Sequence, residues 1–230
     1  MSKGSYRQFC PVAMASEVLA TRWTLVLLRE LIAGSTRFND LRRGVPRMSP
    51  SLLSKRLAEL ERAGIVERRP IAGEAGHFRY QLTEAGRDLE AVVMAVGTWG
   101  QKWVETEPSL RNVDPGLLMW DMRRNIDTRP MPSRRSVIQF VYSALPPPRR
   151  DWWLIVSPGE EVDLCSVDPG FDIDLYVETD LRTMTTIWMG LSSVPEALAN
   201  DRLILTGNGT LAAAMQQWLG LSPFAGRKEG

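Results

Sequence analysis

Three groups of side chains between Arg37 and Arg79 have types and spacings suited to holding a polyanion. Ser49, Ser51, Ser54, Lys55 and Arg56 fall in one short stretch. Small hydroxyls there allow close approach to base edges, and Lys55 or Arg56 can bond guanine or phosphate oxygens. Arg37, Asn39 and Arg42 precede that stretch, and Arg68, Arg69, His77 and Arg79 follow it; all are donors matched to backbone phosphate. Catalytic chemistry finds no comparable set. His77, the one histidine, lies inside the basic stretch, where general-base work is implausible. Gly207-Asn208-Gly209 lacks the lysine that a phosphate loop needs, and Glu160-Glu161 and Asp172/Asp174 have no partner set. One histidine and two cysteines argue against a structural zinc cluster. The expectation is therefore a binding protein with no enzyme activity, metal or cofactor.

These residues need elements to position them. Ser49 suits an N-cap, Pro50 the first helical position and Gly64 a left-handed C-cap, so the pattern predicts a helix over 50–63. On that helix Leu53, Leu57 and Leu60 share one face. Ser51, Lys55, Ala58 and Arg62 lie opposite, with Ser54 and Arg56 on the flanks. Ile65 to Arg69 alternates as a strand, Pro70 to Gly76 supplies turn residues, and His77 to Leu82 returns as the partner strand. Upstream, Val12, Met14, Val18 and Leu19 mark one helix, and Trp23 to Leu31, stopped by Gly34, another. A short helix carries Phe38 and Leu41, with Ser35 or Thr36 as its cap. Downstream, Thr83 caps a helix whose stripe of Leu89, Val92, Val93, Val96, Trp99 and Trp103 is wider than a small domain buries, which predicts a homodimer. The plain alternative for the cationic helix is a solvated face; the joint order of capped helix, leucine face, glycine stop and basic hairpin favours double-stranded DNA.

Charge divides along the chain. Residues 1–83 hold 14 Lys/Arg against 7 Asp/Glu, and the remainder 14 against 20, so only the first part is expected to meet a polyanion. No apolar run is long enough for a membrane span, and Met1-Ser2-Lys3-Gly4-Ser5 lacks a signal peptide's apolar stretch, which predicts a cytoplasmic protein without membrane contact. Cys10 and Cys165 are too few and too distant for a disulfide framework.

Residues 9–105 resemble the winged helix-turn-helix regulators of the HxlR type, relatives of the MarR proteins. The residues that carry the likeness include Cys10-Pro11-Val12, Arg22-Trp23-Thr24, Leu27-Leu28-Arg29-Glu30-Leu31, Arg37-Phe38-Asn39-Asp40-Leu41, Leu57-Ala58-Glu59-Leu60, Val66-Glu67-Arg68-Arg69 and Tyr80-Gln81-Leu82-Thr83-Glu84-Ala85-Gly86. The resemblance implies a homodimer whose two recognition helices enter successive major grooves of an operator. Arg79 stands where many relatives are acidic, and Pro50 where a polar residue is common, so the operator sequence does not follow. The resemblance also implies that Cys10 could act as a thiol sensor, a helix start offering partial positive charge; a small side chain packed at the dimer seam is the other reading.

The hydrophobic period lapses near 105–113, which predicts a linker between a domain at 1–105 and another at 114–230. In the second, Asp114-Pro115 caps a helix, and strands are expected over 136–143, 152–156, 162–167 and 173–178 as a meander, with helices and a further strand after Asp180. The fold class is thus α+β, an antiparallel sheet covered by helices. This segment is similar to sterol carrier protein-2-like domains, on residues such as Trp152-Trp153-Leu154, Asp168-Pro169-Gly170 and Ile187-Trp188-Met189-Gly190. That implies a cavity for a small hydrophobic effector, with Trp120, Phe140, Trp153, Met184, Trp188, Met215 and Trp218 as candidate lining; ordinary core is the alternative for each. The expected function is a dimeric transcriptional regulator, a repressor more than an activator. A lipid carrier whose winged helix mediates protein contacts is the alternative.

Overall fold

The computed structural model describes residues 5–104, 110 and 113–225. The chain divides into two compact units, Met1–Gly97 and Thr98–Gly230. The expected linker at 105–113 lies outside the described residues except for Leu110 and Val113.

The first unit opens with α1 (Pro11–Leu19) and α2 (Thr24–Ile32), followed by α3 (Phe38–Gly44) and α4 (Pro50–Arg62). Ser49 caps α4 as its sequence position requires: its hydroxyl accepts from Leu52 N at 3.3 Å. At the other end Gly64, at φ +72°, lets the backbone turn so that Ile65 N reaches Leu60 O at 3.0 Å. Leu53, Leu57 and Leu60 are buried with Leu27, Leu28, Leu41 and Val93 in a single core. Strands β1 (Val66–Pro70) and β2 (Phe78–Leu82) form an antiparallel hairpin in which Arg69 stands opposite Arg79. Thr83 then caps α5 (Glu84–Trp103), whose residues to Gly97 belong to this unit, accepting from Gly86 N at 3.1 Å while donating to Gly64 O at 2.6 Å. One expected cap is absent. Neither Ser35 nor Thr36 caps α3: Arg37 occupies the N-cap without a side-chain bond, and the Ser35 hydroxyl turns inward to Glu30. Thr36 instead lends its carbonyl to Tyr80 N at 2.7 Å, beside a single isolated β-bridge between Arg37 and Arg79.

The second unit contains α6 (Pro115–Arg124), β3 (Ser136–Tyr142), β4 (Asp151–Val156), β5 (Asp163–Cys165), β6 (Leu175–Thr179), α7 (Leu181–Trp188), α8 (Val194–Ala199), β7 (Leu203–Gly207), α9 (Gly209–Ala213) and α10 (Met215–Leu219). Asp114 caps α6 and Asp180 caps α7, each through its carboxylate and the backbone N–H three residues on. The five strands lie in the order β5-β4-β3-β6-β7. Here the antiparallel meander gives way, because β6 runs parallel to β3 while the other pairs are antiparallel. The chain can return that way because β4, β5 and the loop after it form a crossover long enough to bring β6 to the free side of β3. The central strand is then buried along nearly its whole length. Helices α9 and α10 meet at Ala214.

Candidate nucleic-acid interface

Helix α4 is built to display one face. Its leucine face is sunk in the core, and Ser51, Ser54, Lys55, Ala58 and Arg62 are exposed on the other side. Ser49 and Ser51 hydroxyls lie 3.2 Å apart at the first turn, so small donors and acceptors cluster where a recognition helix meets bases. Arg56 departs from expectation. It is only 9% exposed, its Nε donates to Arg22 O at 3.2 Å, and its Nη1 pairs with Glu59. The reason is angular: at 100° per residue Arg56 lies about 40° from Leu60 but about 140° from Ser51, so it belongs to the inner flank. The structure therefore removes Arg56 from the outward set and leaves Lys55 as the cation at its centre. Arg62, two turns beyond Lys55, joins the same face, an addition that the i, i+7 spacing already encoded.

The hairpin displays a second cationic surface. Register places Val66, Arg68, Pro70, Phe78, Tyr80 and Leu82 on one face and Glu67, Arg69, Arg79 and Gln81 on the other. Arg37 bridges Arg79, and Arg79 pairs with Arg69, so three arginines stand side by side across the edge. Like charges in direct opposition cost stability unless an anion lies between them. The protein supplies two such anions itself. Glu67 pairs with Arg69 at 2.8 Å, and Glu74 in the hairpin loop takes both terminal nitrogens of Arg37 at 2.7 Å each. That hydrogen bonding holds the Glu74 carboxyl below the usual carboxylate range and raises the Arg37 guanidinium above its ordinary value. Arg37 was expected to meet phosphate; in this structure Glu74 occupies it. Arg79, in the middle, has no carboxylate partner among the described residues. On the inner face Arg68 lies over the Phe78 ring at 3.5 Å, a cation–π contact that ties it to the hairpin. Asn39, Arg42 and His77 are exposed, as a surface role requires. Glu74 is the residue of this surface that sequence spacing missed, since a loop carboxylate thirty-seven residues from its partner leaves no periodic signal.

The remaining candidate residues lie elsewhere. Cys10 and Cys165 are half-buried and not joined in a disulfide. Phe140, Met184, Trp188, Met215 and Trp218 meet in the main core of the second unit, where the Trp218 indole donates to Leu211 O at 2.7 Å. Trp120 is buried beneath the Arg123 guanidinium at 4.2 Å, and Trp153 sits on the opposite face of the sheet with Val137 and Ile155. The seven side chains thus do not line one cavity, because period-two alternation sends Trp152, not Trp153, toward the helices.

Comparison with known proteins places the first unit. The profile of the HxlR-like helix-turn-helix family matches residues 18–108. A Bacillus subtilis (strain 168) protein described as the HTH-type transcriptional regulator YdeP is 36% identical over 94 residues, which are 41% of this chain and 73% of that protein. The chain belongs to the HxlR-like helix-turn-helix family. An HTH-type transcriptional regulator of Mycobacterium tuberculosis (strain ATCC 25618 / H37Rv), Rv3095, is 40% identical over 95 residues, 40% of this chain and 58% of its own length. Among solved structures, the redox regulator HypR in its reduced form aligns at 34% identity over 44% of this chain and 99% of its own, with a TM-score of 0.40. This HxlR-like chain carries the family's winged helix in α2 to β2, with the Arg37–Glu74 pair fastening the hairpin loop to the start of α3. No single helix among the described residues is long and apolar enough to cross a membrane.

Proposed function

We propose that this HxlR-like protein is a sequence-specific, double-stranded-DNA-binding transcriptional regulator acting as a homodimer. The observation that carries the reading is the outward face of α4, where Ser51, Ser54 and Lys55 project from a leucine-anchored, capped helix, in a unit that also carries the arginine row of the hairpin. Ser49, Ser51, Ser54 and Lys55 meet base edges, Asn39 and Arg42 bond phosphate near the start of the helix, and Arg68, Arg69, His77 and Arg79 serve the wing. Arg37 reaches phosphate when Glu74 releases it. The dimer reading is supported by α5, on which Val92, Val96, Trp99 and Trp103 recur at helical spacing and the two tryptophans are 62% and 65% exposed. Residues 1–105 then form the DNA-binding and dimerisation domain. Binding that blocks transcription, and so repression, is the expected direction of control.

Residues 114–230 are proposed as the effector domain, in which a small hydrophobic molecule shifts the DNA-competent state by binding it with different affinity. The likeness to sterol carrier protein-2-like domains and the aromatic and methionine content of the core support that role. Gel shifts with genomic fragments across salt concentrations test the main reading. Affinity that falls steeply with salt and keeps a sequence preference is the expected result. Flat salt dependence overturns it. Native mass spectrometry of the purified chain tests the effector domain, where a co-purifying apolar molecule is expected.

A further inference from the structure

Glu30 on α2 is the most deeply buried carboxylate in the first unit, at 0% exposure. One of its oxygens pairs with Arg29, whose same nitrogen also donates to Gly44 O at 3.3 Å. The other oxygen accepts from Ser35 Oγ at 3.1 Å, and the Glu30 carbonyl accepts from Ser35 N at 3.1 Å. The carboxyl group is also pressed against the last residue of α3. A Cβ at Gly44 would lie 1.8 Å from the Glu30 carboxyl carbon and 1.9 and 2.4 Å from its oxygens. Gly44 has no positive φ, so its lack of a side chain serves this close approach and not a turn.

One group therefore ties together α2, the turn that follows it and the end of α3. Only Val45 to Met48 then separate α3 from the Ser49 cap of α4. A buried ion pair is weak grounds for stability, since desolvation offsets much of its attraction, but it can select one arrangement over others. We propose that Glu30 is a positioning residue for DNA recognition: its carboxylate, seated on Gly44, sets where α3 ends and so how far Ser51 and Lys55 reach from the body. The inference rests on the DNA-binding reading above. It adds a residue that touches no DNA and assigns a functional reason to the glycine at 44.

The test uses the full chain and a duplex enriched by the wild-type protein from random sequence, with a scrambled duplex as reference. Glu30→Met keeps volume but removes the ties to Arg29 and Ser35. Its expected effect is a loss of at least about tenfold in the ratio of selected to scrambled affinity, with the salt slope on scrambled DNA unchanged because every outward cation remains. Glu30→Gln keeps shape and an acceptor and is expected to hold the ratio within about threefold of wild type. The ratio is read at temperatures where circular dichroism shows each variant fully folded, so that lost stability alone does not move it. Should Glu30→Met not fold, Gly44→Ala and Gly44→Ala/Glu30→Asp serve instead. Alanine alone is expected to lower the ratio, and the shorter aspartate, by vacating the space of the new methyl, to restore part of it. A wild-type ratio in Glu30→Met, or no restoration in the double variant, overturns the proposal. No sequence preference in the wild-type chain overturns the DNA reading, and this proposal with it.

Discussion

The two units treat their arginines differently. In the second, guanidinium groups meet carboxylates of the same unit in a series of ion pairs: Arg124–Asp121, Arg129–Asp127, Arg134–Asp174, Arg149–Asp114 and Arg150–Asp151. The first unit also pairs some of its cations. Glu59 is spent on Arg56, Glu67 on Arg69, Asp40 on Arg43 and Glu74 on Arg37. Lys55, Arg42 and Arg79 are left without a carboxylate partner among the described residues. With 14 cations to 7 anions over residues 1–83 and 14 to 20 after them, this is the arithmetic of composition made visible on a surface. Unneutralised charge at the outer helix and hairpin is what a polyanion can exploit through counterion release. Surface pairs elsewhere contribute little to stability on their own.

Several changes would break or sharpen that contrast. The largest effect should come from the interior of the second unit. Phe140→Ala, at a fully buried position, is expected to destabilise by about 3–5 kcal/mol in denaturant unfolding while leaving the sequence preference for DNA intact. Lys55→Ala should weaken binding to a selected duplex by about 1–3 kcal/mol if its ammonium contacts a base; if it contacts phosphate, the loss is uniform across sequences, and competition binding separates the two. Arg79→Ala should weaken all duplexes alike and reduce the salt slope by about one unit.

Glu74→Gln is the converse, since it frees Arg37 and should raise affinity at low salt and steepen the slope, measured by the same titration. Acidification should act in the same direction. A carboxyl whose folded pKa is depressed keeps its pairing above its ordinary range and loses it only as pH falls through the lowered value. The Glu74 contact is therefore intact at neutral pH and released below the normal carboxylate range. The smallest effect belongs to Cys10→Ser: with the thiol half-buried and remote from α4 in sequence, operator affinity under reducing conditions is expected to change by less than about twofold. A larger drop on oxidation of the wild-type chain alone would assign Cys10 a sensing role.

Much of the first unit was legible because its signals are local. Ser49, Pro50 and Gly64 bound α4 through groups within a few residues of one another, and Leu53, Leu57 and Leu60 mark its inner face by period alone. The helical angle already set Arg56 toward the inner flank, but its partners there, the Arg22 carbonyl and Glu59, were not legible from spacing. Ser35 was misread for the same kind of reason: a buried glutamate competes for its hydroxyl more effectively than the end of α3. In the second unit the strands were readable from alternation, but their order was not, and neither was the face that Trp153 occupies.

By itself the sequence determined what depends on near neighbours: helix caps, strand periodicity, the surplus of cations in residues 1–83 and the glycine stops. Only the tertiary structure decided which cations remain available, that β6 lies parallel to β3, and that Glu30 rests on Gly44. The physical reason is range. Capping and alternation act within a turn or a strand, whereas pairing, burial and close approach join residues whose separation along the chain says nothing about their distance in space.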